Sequence, residues 1–196
     1  MIIRRARTSD IDTILDWRTQ RAAWLATRGH AQWQTPWPRW AVAAAVQAGQ
    51  TWLAYDRDVP AASITLTAYT DLDGLWKSDR APDADTLWHP ADDPTNALYA
   101  SKIMVPLERS GTGLGSELLD WASGRAFDAG VLWLRLDAWT TNTQLHAYYD
   151  ALGFDHVRTV HTRASGACFQ RPAQPYHGTR FEEDQQELGT LLDRFR

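Results

Sequence analysis

Cysteine is almost absent from this sequence, since Cys168 is the only one among 196 residues. One cysteine cannot close a disulfide within the chain, and small secreted folds usually depend on several, so we expect a reducing compartment. Long apolar runs are missing as well. The first residues, MIIRRARTSD, have no apolar stretch behind their charges, and no run approaches the roughly 20 residues that span a bilayer. We therefore predict a cytoplasmic protein with no membrane association.

Lysine is also scarce, and positive charge is nowhere concentrated. Lys77 and Lys102 are the only lysines, and the formal net charge is −4. Proteins that bind nucleic acids usually carry a basic surface that neutralises phosphates. We therefore predict no nucleic-acid partner, and we predict no metal site.

The apolar periodicity predicts one α/β domain, because 196 residues can bury one sizeable core but hardly two. Alternating or continuous apolar stretches predict seven strands, and apolar residues at helical spacing predict helices between them. The predicted strands cover residues 2–6, 51–56, 60–70, 97–105, 131–139, 154–162 and 166–173. The predicted helices cover about residues 9–27, 38–48, 114–129 and 141–152.

Tryptophan, by contrast, is abundant, with eleven residues. Trp33 and Trp37 lie in an irregular segment between the first two predicted helices. Trp88 lies in a predicted long loop over residues 70–96, which contains seven aspartates. Aromatic faces together with acidic charge suit a cationic or amino-bearing ligand. The alternative is that the rings belong to the core and the aspartates are solvated.

Three glycines mark the junction between the fourth strand and the next helix, in the stretch YASKIMVPLERSGTGLGSELLDWA at residues 99–122. Gly111, Gly113 and Gly115 alternate there, although glycine costs about 1 kcal/mol against alanine inside a helix. A glycine-rich turn at a helix N-terminus binds anions, because its amides are unpaired and the helix dipole favours negative charge. The motif therefore predicts a phosphate-binding loop.

Two common phosphate-binding motifs fit this stretch poorly. A P-loop needs Lys-Ser or Lys-Thr after the glycines, and GLGSELL has neither. A dinucleotide fold is favoured by Asp137, which ends the next predicted strand where a ribose-binding acid would lie. However, six residues, VPLERS, separate the strand from Gly111, whereas the dinucleotide turn places glycine directly after its strand.

Residues 98–160 resemble the cofactor-binding core of the GNAT superfamily of acyl-CoA-dependent N-acyltransferases. The resemblance rests on VPLERSGTGLGSELL followed, at the expected separation, by NTQLHAYYDALGF. It implies an α/β single-domain fold with a mixed, twisted sheet of about seven strands, flanked by helices and splayed between strands 4 and 5. Residues 1–172 would form this domain. Residues 173–196 would be a C-terminal extension, in which Leu188, Leu191 and Leu192 predict an accessory helix.

The resemblance also implies a binding site for acyl-CoA, most simply acetyl-CoA, as co-substrate. The family usually has Arg or Gln where this chain has Ser110, and Arg109 is displaced by one position, which puts a charged contact to the pyrophosphate in doubt. The implied cofactor-binding residues are Ile103, Met104, Val105 and Asn142 for the pantetheine arm, Arg109, Ser110, Gly111, Thr112, Gly113, Leu114, Gly115 and Ser116 for the pyrophosphate, and Tyr149 near the thioester.

The implied chemistry is direct attack of an amine on the thioester in a ternary complex, on a small molecule or a peptide. Tyr149, seven residues after Asn142, would protonate the departing thiolate, whereas Tyr148 is predicted to be core. Asp137 is the candidate base, and pairing with Arg135 is the alternative for its carboxylate. The acceptor would contact Trp33, Trp37, Trp88, Tyr99 and Asp137.

Two other functions stay open at this point. A catalytically silent acyl-CoA-binding module would fit the Ser110 departure and the uncertain base. A dinucleotide-binding oxidoreductase would fit Asp137. The family likeness allows a homodimer, but the sequence itself does not indicate an oligomeric state.

Overall fold

The computed structural model describes residues 1–68 and 86–184. The predicted accessory helix and most of the predicted 70–96 loop lie outside these residues. In chain order, the elements are β1 (Ile2–Arg5), α1 (Ile11–Ala26), α2 (Arg39–Gln47), β2 (Thr51–Asp56), β3 (Val59–Ala68), β4 (Ala97–Met104), α3 (Leu114–Asp128), β5 (Trp133–Ala138), α4 (Thr143–Ala151), β6 (Asp155–Thr159), β7 (Ala167–Pro172) and β8 (Glu182–Glu183).

All strands join one mixed sheet in the order β6-β7-β5-β4-β3-β2-β1-β8. The pairs β4–β5 and β1–β8 are parallel, and the other neighbours are antiparallel. The predicted α/β architecture is therefore confirmed, with eight strands among the described residues in place of about seven. The additional strand, β8, is only two residues long and carries no alternating apolar pattern, so its sequence gives no strand signal.

The sheet opens between β4 and β5, as the resemblance implies. These strands pair from Ala97 with Trp133 to Ala100 with Leu136, and no further. Beyond that point, β4 continues to pair with β3, and β5 continues to pair with β7 through Ala138. A wedge therefore separates the ends of the two strands, and their backbone groups on the facing edges are not used by the sheet.

Helices cover both faces of the sheet. On one face, α3 packs Leu118, Ala122 and Ala126, at i, i+4 spacing, against the strands. On the other face, α1 and α2 pack Ile14 and Val42 against Leu53 of β2. Among the described residues, no helix has the length and apolarity needed to cross a membrane.

The segment after β7 runs across α3 before it joins the sheet as β8. Tyr176 packs on Gly124 of α3, where an added Cβ would lie 2.6 Å from the Tyr176 Cβ atom, so only glycine permits this approach. The Tyr176 hydroxyl donates to Glu117 at 2.6 Å, and Glu183 accepts a hydrogen bond from the Trp121 indole at 3.0 Å.

Phe181 is 5% exposed and belongs to the main core cluster. We call residues 173–184 the C-terminal strap.

Candidate functional site

Strand β4 is irregular where the sheet opens. Lys102 has φ +49°, and the register to β3 shifts so that Ser63 pairs with Met104 but Thr65 pairs with Ser101. Two residues of β4 therefore face one residue of β3, which is a β-bulge. Such bulges bend a strand and redirect its backbone groups. The predicted pantetheine-binding residues, Ile103, Met104 and Val105, follow directly on this bend.

The glycine loop connects β4 to α3, and its glycines serve two different purposes. Gly111 and Gly113 have φ +76° and +75°, the left-handed region that glycine adopts without strain. Gly115 has no such φ, but a Cβ there would lie 3.1 Å from the Tyr148 hydroxyl. Among the described residues, the amides of residues 111–116 have no hydrogen-bond partner. This leaves a bare row of donors at the helix N-terminus.

Arg109, which was predicted to contact the pyrophosphate, points away from the glycine loop. The Arg109 guanidinium forms an ion pair with Asp56 at the end of β2, at 3.0 Å. Two other arginines reach the loop instead. Arg21 of α1 donates to the Ser110 hydroxyl at 3.0 Å and to the Val105 carbonyl at 2.6 Å. Arg180 of the C-terminal strap donates to the Thr112 carbonyl at 3.1 Å.

Asn142, the first residue of the NTQLHAYYDALGF motif, is hydrogen-bonded to the segment before α2. Its side-chain carbonyl oxygen caps α4 by accepting from the Leu145 amide at 3.0 Å, which satisfies one of the unpaired donors of the first turn. Its side-chain NH2 group donates to the side-chain carbonyl oxygen of Gln32 at 2.8 Å, and both residues are buried. The predicted contact of Asn142 to pantetheine stays a prediction, and any such contact would share this amide with Gln32.

Asp137 lies at the end of β5, on the open side of the wedge. Its carboxylate accepts a hydrogen bond from the Ser165 hydroxyl, and it does not pair with Arg135. Burial raises the pKa of Asp137, an effect that the Ser165 hydrogen bond, Arg163 and Lys102 offset only in part. Burial likewise lowers the pKa of Lys102, and the charge of Asp137 opposes that shift. The two groups are therefore poised on opposite sides of the wedge with pKa values displaced towards neutrality.

Tyr149 projects from α4 into the same region. It is 7% exposed and packs against Phe154 and Phe169, with ring centroids 5.8 and 5.6 Å away. Among the described residues its hydroxyl has no hydrogen-bond partner. Burial raises the pKa of Tyr149, and Tyr148 and Asp137 add to the effect. The phenol therefore keeps its proton across the physiological range, which is the state that a general acid requires.

Tyr148, interpreted above as core, is instead 39% exposed. Its hydroxyl lies at the first turn of α3, beside Gly115, and interacts with Ser116. Adjacent residues of a helix point about 100° apart, so one tyrosine enters the wedge while the other reaches the glycine loop. The spacing of the Asn-Tyr motif alone does not reveal this division.

The predicted aromatic acceptor residues fall into two groups. Trp33 and Trp37 are partly buried and make an edge-to-face contact, with centroids 5.5 Å apart. The buried Arg18 guanidinium donates to the carbonyls of Trp33 and Thr35 and so fixes this segment. The Lys102 ammonium lies 5.9 Å from the Trp37 ring centroid. Trp33 and Trp37 therefore border the wedge on the α2 side.

Trp88 and Tyr99 lie deeper in the interior. They are 3% and 4% exposed and contact each other, with centroids 6.0 Å apart. The buried Arg135 guanidinium lies 4.4 Å from the Trp88 ring centroid and donates to the carbonyls of Asp92 and Asp93. The structure thus places Trp88 and Tyr99 in a buried cluster with Ala97 and Cys168, separate from the Trp33–Trp37 pair.

The sequence reasoning missed four residues at this site, namely Arg21, Lys102, Tyr148 and Arg180. Arg21 and Ser110 are 89 positions apart, and Arg180 and Thr112 are 68 apart, so no local spacing could connect them. Lys102 had one available signal, since it is one of only two lysines and lies within the core strand. Within residues 1–68 and 86–184, no group of His, Cys, Asp and Glu is arranged to hold a metal ion.

Comparison with known proteins gives a consistent result. The family model described as Acetyltransferase (GNAT) family matches residues 12–154, and no curated protein matches the chain. A GNAT-family acetyltransferase from Listeria monocytogenes has 22% identity and a TM-score of 0.65, with 87% of this chain and 93% of that chain covered.

Two further solved structures contain coenzyme A or acetyl-CoA. The paia N-acetyltransferase from Thermoplasma acidophilum, in complex with coenzyme A, has 14% identity and a TM-score of 0.61, with 87% and 97% of the chains covered. The yncA protein from Salmonella typhimurium, with its cofactor acetyl-CoA, has 15% identity and a TM-score of 0.58, with 90% and 95% covered. At these identities the solved structures establish the fold alone.

Proposed function

The chain belongs to the GNAT family of acetyltransferases, and we propose that it transfers an acetyl group from acetyl-CoA to an amine of a small molecule or peptide. The observation that carries the proposal is the row of unpartnered amides at residues 111–116, which lies at the mouth of the β4–β5 wedge. An anion held by those amides leaves a long arm free to enter the wedge. CoA has this shape, with a pyrophosphate at one end and a thiol at the other.

The residues present fit such a ligand. The positive φ values of Gly111 and Gly113 turn the loop amides outward, and the absence of a Cβ at Gly115 leaves room beside Tyr148. The unpaired edge of β4 after the bulge offers backbone groups to an extended arm, as an added strand would use them. We therefore assign pyrophosphate binding to the loop amides and pantetheine binding to the backbone of Ile103, Met104 and Val105.

The proposed reaction is a direct transfer within a ternary complex. The amine nitrogen attacks the thioester carbon, the C–N bond forms, and the C–S bond breaks with the electron pair leaving on sulfur. The amine must lose a proton and the thiolate must gain one. Asp137 would accept the first proton, directly or through water, because its raised pKa makes it a better base than an exposed carboxylate. Tyr149 would donate the second from its buried phenol.

The acceptor would enter from the side that Trp33 and Trp37 border. Aromatic faces attract amino groups through cation–π contact, and the carboxylate of Asp137 lies beyond them in the wedge. Trp88 and Tyr99 would then act indirectly, because they pack against Arg135 of β5 and hold that strand in place. A compact amine, free or at the end of a peptide, meets these requirements.

The proposal is tested by thermal unfolding of the protein with acetyl-CoA, CoA and NAD in parallel. A ligand at about 100 times its dissociation constant adds about 2.7 kcal/mol, which raises Tm by about 5–10 °C in a chain of this size. We expect this shift with both CoA forms and none with NAD. A shift with NAD alone would contradict the proposal. If acetyl-CoA binds but an amine panel yields no free thiol, the chain is a silent binding module.

Replacing Asp137 with asparagine should lower activity and raise stability together. The folded-state pKa of this carboxyl lies above its ordinary value, so ionisation is disfavoured by folding, and stability falls as pH rises from the ordinary pKa through the folded one. A neutral amide at this position escapes that penalty. We expect a higher Tm at pH 7 for D137N and a kcat/KM lower by about a hundredfold, measured by thermal melts and by thiol release.

The control for this variant is Ser165→Ala, which keeps the carboxylate and removes its hydrogen bond. The Ser165 hydrogen bond lowers the pKa of Asp137, so S165A should raise that pKa. We therefore expect the acidic limb of the pH–rate profile to move to higher pH. An unchanged kcat/KM in D137N would remove Asp137 from the mechanism.

A further inference from the structure

Two arginines from distant parts of the chain converge on the glycine loop. Arg21 approaches from α1 and contacts Ser110 and Val105, and Arg180 approaches from the C-terminal strap and contacts Thr112. Neither lies in the family's glycine motif, and Arg180 lies beyond the residues that the family model matches. We infer that Arg21 and Arg180 are the cationic pyrophosphate-binding residues of this enzyme, and that the C-terminal strap is part of the cofactor site. The inference rests on the proposed function.

The charge pattern around the loop supports this assignment. Ser110 occupies the position where the family usually has Arg or Gln, and the neighbouring Arg109 is bound to Asp56. Among the described residues, no carboxylate lies within ion-pair distance of Arg21 or Arg180. Burial lowers the pKa of Arg21 without an anion to oppose it. Two half-buried cations therefore contact a loop whose amides are bare, an arrangement that a bound anion completes.

Arg180 is also held in position by the strap. Its carbonyl accepts a hydrogen bond from the Met1 nitrogen at 2.9 Å, and the Phe181 amide donates to the Tyr176 hydroxyl at 3.2 Å. The next residues pair with β1, and the Phe181 side chain is buried in the core. One Arg180 nitrogen lies 3.8 Å from the position of a Cβ on Gly113. The backbone at Arg180 is thus anchored on both sides, and its guanidinium lies beside the N-cap of α3.

Arg21 brings to the loop the positive charge that Ser110 lacks. An arginine at position 110 would carry its charge on the loop itself. Here, the Arg21 guanidinium donates hydrogen bonds to the Ser110 hydroxyl and to the carbonyl of Val105, the residue after β4. Arg21 therefore joins the predicted pantetheine-binding strand to the predicted pyrophosphate-binding loop.

The experiment compares CoA with pantetheine, which keeps the thiol arm and lacks every phosphate, by calorimetric titration of the full chain. A hydrogen bond to a charged group is worth about tenfold to a hundredfold in affinity. We expect R180Q to raise the Kd for CoA by at least about tenfold and to leave the Kd for pantetheine unchanged. R180K, which keeps the charge, should recover part of the loss. R21Q should also weaken CoA binding.

The matched control is Arg39→Gln, which removes an exposed arginine that pairs with Asp12 on the surface of α2. R39Q should bind CoA as the parent chain does. Equal CoA affinity in R180Q and R39Q would overturn the inference, as would a parallel loss for CoA and pantetheine, since that indicates general damage. Failure of the unmodified chain to bind CoA would instead contradict the proposed function.

Discussion

Replacing Tyr149 with phenylalanine is expected to lower turnover by about a hundredfold or more, because general acid catalysis contributes about 10²–10⁴-fold. The substitution removes one oxygen from a ring that packs against Phe154 and Phe169, and that oxygen has no hydrogen-bond partner among the described residues. Packing should therefore be preserved. We expect the Kd for CoA to change by less than about twofold, measured by titration beside the initial rate of thiol release.

Tyr148→Phe is the matched control, since it makes the same chemical change one residue earlier. The Tyr148 hydroxyl lies beside Gly115 and Ser116 at the glycine loop. Y148F should therefore affect the KM for acetyl-CoA more than kcat. Equal turnover in Y149F and the parent chain would exclude Tyr149 as the acid. A larger loss of kcat in Y148F than in Y149F would assign the proton to the other tyrosine.

Replacing Phe181 with alanine is expected to destabilise the fold by about 3–5 kcal/mol, the usual cost of emptying a buried phenylalanine site. Phe181 is 5% exposed in the main core cluster, although it lies outside the region that the family model matches. It fixes the strap between Tyr176 and β8. The free energy of unfolding, measured in urea, should fall by this amount, and CoA affinity should fall with it because Phe181 adjoins Arg180.

Phe127→Ala provides the comparison, because Phe127 is 51% exposed on α3. Surface substitutions of this kind usually change stability by about 0.5 kcal/mol or less. A similar small effect for F181A and F127A would show that the strap does not unfold together with the domain. A large effect of F181A on stability with no change in the Kd for CoA would separate the strap from the cofactor site.

Most of the helices and strands could be predicted from local sequence patterns. The seven predicted strands and four predicted helices correspond to elements of the structure, because each carries its own apolar period or glycine boundary. The splay between β4 and β5 followed from family resemblance, and the pairing that ends at Ala100 confirms it. β8 was missed because a strand of two glutamates has no pattern, and pairing with β1 is the only feature that defines it.

The candidate site was less accessible to sequence reasoning, for a physical reason. The glycine loop and the Asn142–Tyr149 spacing are local, so they could be placed by number alone. Arg21 and Arg180 reach the loop only after α1 and the strap have packed, and that packing is a property of the whole fold. The direction of the Arg109 side chain depends in the same way on Asp56, at the end of the distant strand β2.

The hydrogen bond between Asn142 and Gln32 has a thermodynamic consequence. One side-chain amide belongs both to the cofactor motif and, through Gln32, to the segment that carries Trp33 and Trp37. A ligand that competes for the Asn142 amide alters the stability of that segment, and a ligand that orders the segment alters the availability of the amide. By linkage, the two binding free energies change by equal amounts. If CoA contacts Asn142 and the acceptor contacts the Trp33–Trp37 segment, this hydrogen bond couples the binding of the two ligands.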